Sequence, residues 1–352
     1  MARLHAYFKM LREAGASDLH MAAGKAPMLR AHGEVAPIPG QPIISDTNLR
    51  EMMREIVSEQ QWQRFEREHD LDFATALAGV ARFRGNYFVQ EHGASVVFRI
   101  VPDTIISLEK LGVPAAVPGI AELESGMVLV TGPTGSGKST TLAAIIDLIN
   151  RNYARHIVTI EDPVEFVHTN KKSMISHREV GNDSGSFSSA LRAALRQDAD
   201  VILVGEMRDY ETISLAVEAA AMGVLVFGTL HTNGAVKTVD RIVDSFPKDE
   251  QQGARAALGE SLAAVVSQIL VPRKEGGRVG VHEILLRTPG LAGAIREGNS
   301  ATINSTISSG RAIGMQTMDG ALLAFVTAGV IEGRQAYLKA NDKKLFAEWA
   351  NA

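Results

Sequence analysis

The nine residues GPTGSGKST, from Gly132 to Thr140, hold glycines, hydroxyls and one lysine at a spacing that suits a single task. Glycine tolerates backbone conformations closed to other residues, so a loop rich in it can turn its N–H groups inward around an anion. Gly132, Gly137, Lys138 and Ser139 meet the pattern G-x-x-x-x-G-K-[ST], which cradles the phosphates of a nucleoside triphosphate. Thr134, Gly135, Ser136 and Thr140 complete the cradle. Lys138 supplies a point charge at the β and γ phosphates, and Ser139 offers its hydroxyl to Mg2+. The pattern has force only between a strand and a helix. Here the apolar run MVLV precedes it and TLAAIIDLI follows, so the positive end of a helix faces the same anion.

Mg2+ and an attacking water also call for carboxylates, and two clusters end apolar runs. TIEDPVEF carries Glu161, Asp162 and Glu165, and DVILVGEMRD carries Glu206 where a Walker B acid stands. Gly205 precedes it, where many P-loop enzymes have an Asp that holds Mg2+ indirectly. Acids at the carboxyl ends of parallel strands are aimed at the ligand crevice; the competing reading is that they cap helices or sit on solvated loops. FGTLHTN puts Thr229, His231 and Thr232 at the end of another run, a place where a lone His is more often structural. Arg192 and Arg196 share a helix face, as solvated arginines also do.

These groups need a sheet to hold them, and the chain supplies one. MVLVTG, HIVTIED, DVILVGE, VLVFGTL and VGVHEIL are short, continuously apolar runs rich in Val and Ile, as expected of parallel strands buried on both faces. KSTTLAAIIDLINRN, FSSALRAALRQ and DYETISLAVEAAAM read as helices between them, which gives an α/β nucleotide-binding core. Upstream, residues 4–15 and about 46–67 read as amphipathic helices, the second opening with the cap candidates Ser45 and Asp46. ARFRGNYFVQEHGASVVFRIVP alternates as two strands joined around Gly93. The expected organisation is a small α+β domain over 1–101, a proline-punctuated linker over 102–118, the ATPase core over 119–288, and a mostly helical region, read as a small bundle, over 289–352.

Composition narrows the function classes. With 352 residues, 45% apolar and 22% charged, the chain has room for two cores. A net charge of −4 leaves no basic surplus of the kind nucleic-acid binders show, so no nucleic-acid partner is expected. There is no cysteine, hence neither a disulfide framework nor a Cys-ligated zinc site. The N-terminal MARLHAYFKMLREAG lacks the apolar core of a signal peptide. ISLAVEAAAMGVLVFGTL, broken by Glu218 and Gly223, reads as a helix followed by a strand, and no transmembrane segment is expected.

GPTGSGKSTTLAAIID, TIEDPVEF, LRAALRQDADVILVGEMRD and GTLHTN, in that order and spacing, resemble the secretion-superfamily ATPases through their Walker A, Asp box, Walker B and His box. Within that superfamily REVG, RIVDSFP, GMQTMD and the N-terminal GASDLH resemble the PilT group of type IV pilus retraction motors, over about residues 4 to 340. The resemblance implies a PAS-like N-terminal domain joined to a RecA-like P-loop ATPase domain, assembled as a homohexameric ring through heterologous contacts. It implies Glu165 as general base, Glu206 acting through Mg2+ and the water network, and His231 sensing the γ-phosphate or coupling it to a neighbouring subunit. Arg84 in RFRGN and Arg99 in VFRIVP match arginines that reach the phosphates when the N-domain swings in; holding the two domains together is their plainer role. Arg192 and Arg196 become links between Walker B and the phosphates. The implied cofactors are ATP and Mg2+. The implied partner is the inner-membrane platform protein of the pilus, with other pilus ATPases as a second class, and the implied location is cytoplasmic, peripheral at the inner membrane.

Two absences favour retraction over assembly or secretion motors: an extra N-terminal domain and a four-cysteine zinc element. One departure counts the other way. Where the group carries AIRNL, this chain has GLAGA at Gly290–Ala294, so Ala292 replaces the motif's arginine and Gly293 its asparagine. That change leaves the ATPase chemistry intact and bears on coupling, which opens the alternative of an accessory retraction ATPase. A DNA-translocating ATPase and a non-catalytic, ATP-binding ring subunit are the readings from other classes.

Overall fold

The computed structural model describes residues 2–31, 33–101 and 104–350, and the chain divides after Thr104 into two compact units. The first opens with α1 (Leu4–Glu13), whose Leu4, Phe8 and Leu11 recur at helical spacing and are buried along one stripe. It continues through β1 (Asp18–Ala22), β2 (Met28–Ala31), β3 (Glu34–Pro37), α2 (Asp46–Arg54), α3 (Glu59–Glu68), β4 (Asp70–Leu77), β5 (Ala81–Gln90) and β6 (Gly93–Val101). Among the described residues its six strands form one antiparallel sheet in the order β3-β2-β1-β6-β5-β4. Alternation in β5 sends Phe83 and Tyr87 to the core and Arg84 to the other face. Phe8 of α1 stacks on Phe83 at 4.1 Å and meets Phe98 edge-on, so aromatic packing joins the helices to the sheet.

The stretch 46–67, expected as one helix, is two. Ser45 caps α2 as expected, accepting from the Asn48 N–H. Ser58 then starts α3 with a capping box: its hydroxyl accepts from the Gln61 N–H, and the Gln61 side chain accepts from the Ser58 N–H. This second start signal ends the first helix.

The second unit runs through α4 (Leu108–Leu111), α5 (Ala116–Gly119), β7 (Gly126–Thr131), α6 (Lys138–Asn152), β8 (His156–Glu161), β9 (Met174–Glu179), α7 (Phe187–Ala194), β10 (Val201–Val204), α8 (Tyr210–Ala221), β11 (Leu225–Leu230), α9 (Ala235–Asp244), α10 (Gln251–Ser261), β12 (Leu262–Pro272) and β13 (Arg278–Leu286). It ends with α11 (Pro289–Arg296), α12 (Ser300–Ser309), α13 (Met318–Thr327) and α14 (Gly333–Lys339). The sheet order is β13-β12-β7-β11-β10-β8-β9. Every residue of β7, β10 and β11 is buried, which stabilises each Val or Leu by about 1.5–3 kcal/mol.

Four differences from the sequence expectations have physical causes. Pro102 and Asp103 of the expected linker lie outside the described residues, but Leu108 and Val117 are buried among Ile120, Ile145 and Ile149, so most of that stretch belongs to the second unit's core. VGVHEIL forms β13, which pairs antiparallel with β12, whereas the other neighbours in this sheet are parallel. β9 and β12 are strands the apolar-run reading did not pick out. The region after residue 288 is helical, but it is not a self-contained bundle. α11 and α12 bury Leu291, Ile295, Ile303 and Ile307 in the main core, while α13 and α14 cover Val271, Val279 and Val281 of the β12–β13 hairpin. No helix among the described residues is long and apolar enough to cross a membrane.

Candidate nucleotide site

The loop between β7 and α6 has the shape its glycines permit. Gly132, Gly135 and Gly137 have φ of 141°, 76° and 90°, which a side chain would strain. Lys138 opens α6 and folds back, donating from Nζ to the carbonyls of Gly132 at 2.9 Å and Pro133 at 3.2 Å. Burial lowers its pKa and the Glu206 carboxylate acts against that. Ser139 and Thr140 follow on the first turn, half-buried, and Thr134 is exposed in the loop. The Ser136 hydroxyl is buried with no hydrogen-bond partner among the described residues. A buried hydroxyl without a partner, in a glycine loop of this pattern, fits a site that takes a phosphate oxygen.

Glu206 stands just beyond β10. Its Oε1 lies 2.8 Å from His231 Nε2, and its Oε2 accepts from Arg208 Nη2 at 2.6 Å. The Arg208 hydrogen bond, more than any other influence, holds the carboxyl below the usual range. Thr229 at the end of β11 donates to the Gly205 carbonyl at 2.5 Å, and Met207 N–H returns a bond to the Thr229 carbonyl at 3.1 Å. Gly205 is closely packed where it stands: a Cβ would lie 3.2 Å from both Glu161 Cγ and the Ile160 carbonyl. Any side chain here would press on the end of β8, and Glu206 is the carboxylate that follows this strand.

The Asp-box loop follows β8 through a cis Asp162–Pro163 peptide. Glu161 is buried and its Oε2 accepts from the Glu165 N–H at 3.1 Å; Glu179 on β9 accepts from the Val164 N–H at 3.1 Å. Two buried carboxylates thus pin the backbone that carries the exposed Glu165. They went unnoticed in the sequence as positioning groups, although Glu179 is the acid of REVG.

The structure gathers Lys138, Glu206 and His231 but gives the arginines other partners. Arg192 pairs with Glu211 on α8, and Arg196 donates to the Arg192 carbonyl at 2.9 Å. Arg84 and Arg99 belong to the first unit, where they stand opposite each other on β5 and β6. Arg99 Nε donates to Asp18 Oδ1 at 2.7 Å, and Asp18 is itself buried on β1. Gln268, in the middle of β12, was also missed; its amide donates to the Ser136 carbonyl and accepts from the Thr141 hydroxyl, both at 2.7 Å.

A largely parallel sheet, a glycine loop running into a helix, and acids at the strand ends together define a P-loop ATPase domain, here preceded by an N-terminal sheet domain. Residues 69–275 match the family described as "Type II/IV secretion system protein", and the chain belongs to that family. It is 48% identical over 332 residues to the "Type IV pilus retractation ATPase PilT" of Pseudomonas aeruginosa, covering 94% of this chain and 96% of the relative. It is 50% identical to a "Twitching motility protein" of Neisseria gonorrhoeae, over 90% of this chain and 85% of the relative. The crystal structure of the pilus retraction motor PilT with bound ADP superposes with a TM-score of 0.92 at 40% identity, covering 99% of both chains.

Proposed function

We propose that this protein is an ATP-hydrolysing motor that drives type IV pilus retraction, working as a homohexameric ring on the cytoplasmic side of the inner membrane and engaging the pilus platform protein. The observation that carries the reading is the assembly of Lys138, Glu206 and His231 beside an intact phosphate loop, in a chain this similar to a retraction ATPase. Lys138 exchanges its two loop carbonyls for the β and γ phosphate oxygens. Glu165 takes the proton of the attacking water as its oxygen bonds to the γ-phosphorus and the bond to the β–γ bridging oxygen breaks, releasing ADP and phosphate. The Ser139 hydroxyl and the Glu206 carboxylate are hard oxygen donors that would hold Mg2+ and its water shell. When bound, the ion neutralises charge on the transferring phosphoryl group. His231, held on Glu206, reports the γ-phosphate. Arg84 and Arg99 stabilise the transition-state charge in the ATP state, and Arg192 and Arg196 link Walker B to the phosphates.

A second reading, an accessory retraction ATPase, is supported by α11. The GLAGA segment lies in this helix, where the Ala292 carbonyl packs so closely on α10 that a Cβ at Gly259 would lie 2.9 Å from it. The backbone of Ala292 makes that contact, so what this helix lacks relative to the family pattern is the arginine and asparagine side chains at 292 and 293. Deleting the gene in the native host and scoring surface pili and twitching tests both readings, with wild type and Lys138→Ala as complements. Excess pili without twitching supports a principal retraction motor, and normal pili and motility supports the accessory reading. Loss of pili refutes both.

A further inference from the structure

We propose that Gln268 is the positioning residue that holds the phosphate loop ready for an anion, and that it sets nucleotide affinity rather than the rate of the chemical step. The inference rests on the nucleotide reading above and deepens it. Gln268 is 4% exposed and sits on β12, between β7 and β13. It meets the loop at three residues and α6 at a fourth. Nε2 donates to the Ser136 carbonyl and Oε1 accepts from the Thr141 hydroxyl, each at 2.7 Å. Its backbone oxygen lies so close to Gly132 that an added Cβ would be 2.1 Å away, and its Nε2 would be 2.8 Å from a Cβ at Gly137. Two glycines of the phosphate-binding pattern are therefore pressed against this one residue.

The geometry explains what the contact does. A carbonyl can only accept, so the Ser136 oxygen fixes the orientation of the Gln268 amide, and Oε1 is left for the Thr141 proton. In a trans peptide the C=O and the next N–H point in opposite directions. Holding the Ser136 carbonyl at the back of the loop therefore aims the Gly137 N–H forward, into the cradle. Lys138 also holds loop carbonyls, those of Gly132 and Pro133, but it must leave them to reach a phosphate. Gln268 carries no charge and has no reason to leave. It is the support that persists when nucleotide arrives, so the N–H groups stay pre-aimed and less ordering is left for binding to supply.

The experiment uses the full chain with a fluorescent ADP analogue for Kd, ATP for kcat and KM, and thermal unfolding without nucleotide. Gln268→Met keeps length and volume but loses both hydrogen bonds; Thr141→Val keeps shape and loses one. Expected are an ADP Kd about tenfold weaker for Gln268→Met and about threefold weaker for Thr141→Val, from the worth of buried hydrogen bonds. KM should rise in step, and kcat at saturating ATP should fall less than about threefold. Wild-type Kd in both folded variants, or kcat falling while Kd holds, overturns the inference. A lower unfolding temperature with unchanged Kd also overturns it, since a merely structural role predicts that result. If Gln268→Met does not fold, Thr141→Val decides. Failure of the wild-type chain to bind ADP overturns the nucleotide reading itself; unchanged binding in the variants overturns this inference alone.

Discussion

Asp18→Asn removes one charge at almost constant shape, and the structure sets how much that should matter. Across the first sheet, Arg84, Arg99, Asp18 and Arg30 stand in one row on β5, β6, β1 and β2. Like charges directly opposite one another destabilise a sheet, and the single carboxylate of the row offsets this. It accepts from Arg99 Nε and from the Ser17 hydroxyl, both at 2.7 Å, with Arg30 Nε 3.9 Å away. The gross attraction of a close pair near a surface is about 4 kcal/mol. The Arg99 side chain is 66% exposed, so water reduces its share to about 1 kcal/mol. An amide keeps one oxygen for Arg99 but turns its NH2 toward Ser17, whose hydroxyl proton loses its acceptor in a buried spot, which adds about 1 kcal/mol. A loss of about 2 kcal/mol lowers the unfolding temperature of a unit this size by about 10 °C.

The same change loosens Arg99, and this gives the functional arm. Arg99→Ala is expected to keep ATP binding and lose most turnover; Asp18→Asn should fall between it and wild type, with ADP affinity unchanged because neither residue is in the phosphate loop. Steady-state ATPase assays alongside ADP titration separate the two effects. If Arg99→Ala turns over like wild type, the role assigned to that arginine is wrong. If Arg99→Ala is crippled and Asp18→Asn is not, the carboxylate does not orient it.

Three further outcomes are expected. Glu165→Gln should cut turnover by about 10²–10⁴ while ADP binding stays within about threefold, the signature of a lost general base; undiminished turnover would remove it from that role. Gly132→Ala should weaken nucleotide binding and lower the unfolding temperature, because its Cβ would sit 2.1 Å from a backbone oxygen of β12; wild-type affinity in that variant contradicts the close approach. Burial pushes the His282 pKa down to about 4, so below about 6.5 the unfolded chain takes up the proton first. The stability due to the neutral ring is complete above pH 6.5 and is lost as pH falls toward 4, by about 2 kcal/mol at pH 5. His282→Gln should flatten that slope in denaturant titrations, and an unchanged slope refutes the assignment.

What could be read from the sequence divides along physical lines. β7, β8, β10 and β11 are short, mostly apolar runs rich in Val, Ile and Leu, a pattern that burial on both faces imposes, so they were visible, as was the phosphate loop. β9, MISHRE, is an edge strand with one neighbour and carries His177, Arg178 and Glu179; Met174 and Ile175 are too short an apolar run to mark it. β12 contains Ser267 and Gln268 within LAAVVSQILVP, and that polar pair obscured an apolar stretch of strand length. The pair was itself the signal, since Ser267 accepts from the Gly234 N–H and Gln268 holds the phosphate loop. Ser58 and Gln61 spelled out the break between α2 and α3. The Asp18–Arg99 pair joins residues 81 positions apart, and only strand register brings them together.

Strand order also accounts for the division of labour among the carboxylates. β11 lies between the loop strand β7 and β10, and β8 is one strand further out. At about 4.8 Å per strand, the backbone of β10 is about 10 Å from β7 and that of β8 about 14 Å. Glu206 is thus the acid close enough to influence Lys138 electrostatically, and its pairing with Arg208 and His231 keeps it ionised there. An ionised carboxylate with two cationic or hydrogen-bonding partners is a poor proton acceptor and a good anchor for a metal's water shell. Glu165 starts further from the loop strand, on a backbone pinned by Glu161 and Glu179, and its carboxylate is exposed. The attacking water approaches the γ-phosphorus from the side away from the leaving ADP, so the base must stand beyond the phosphates rather than beside the lysine. The outer strand lies on that side of the order, which supports the proposed division in which Glu165 takes the proton and Glu206 holds the charge.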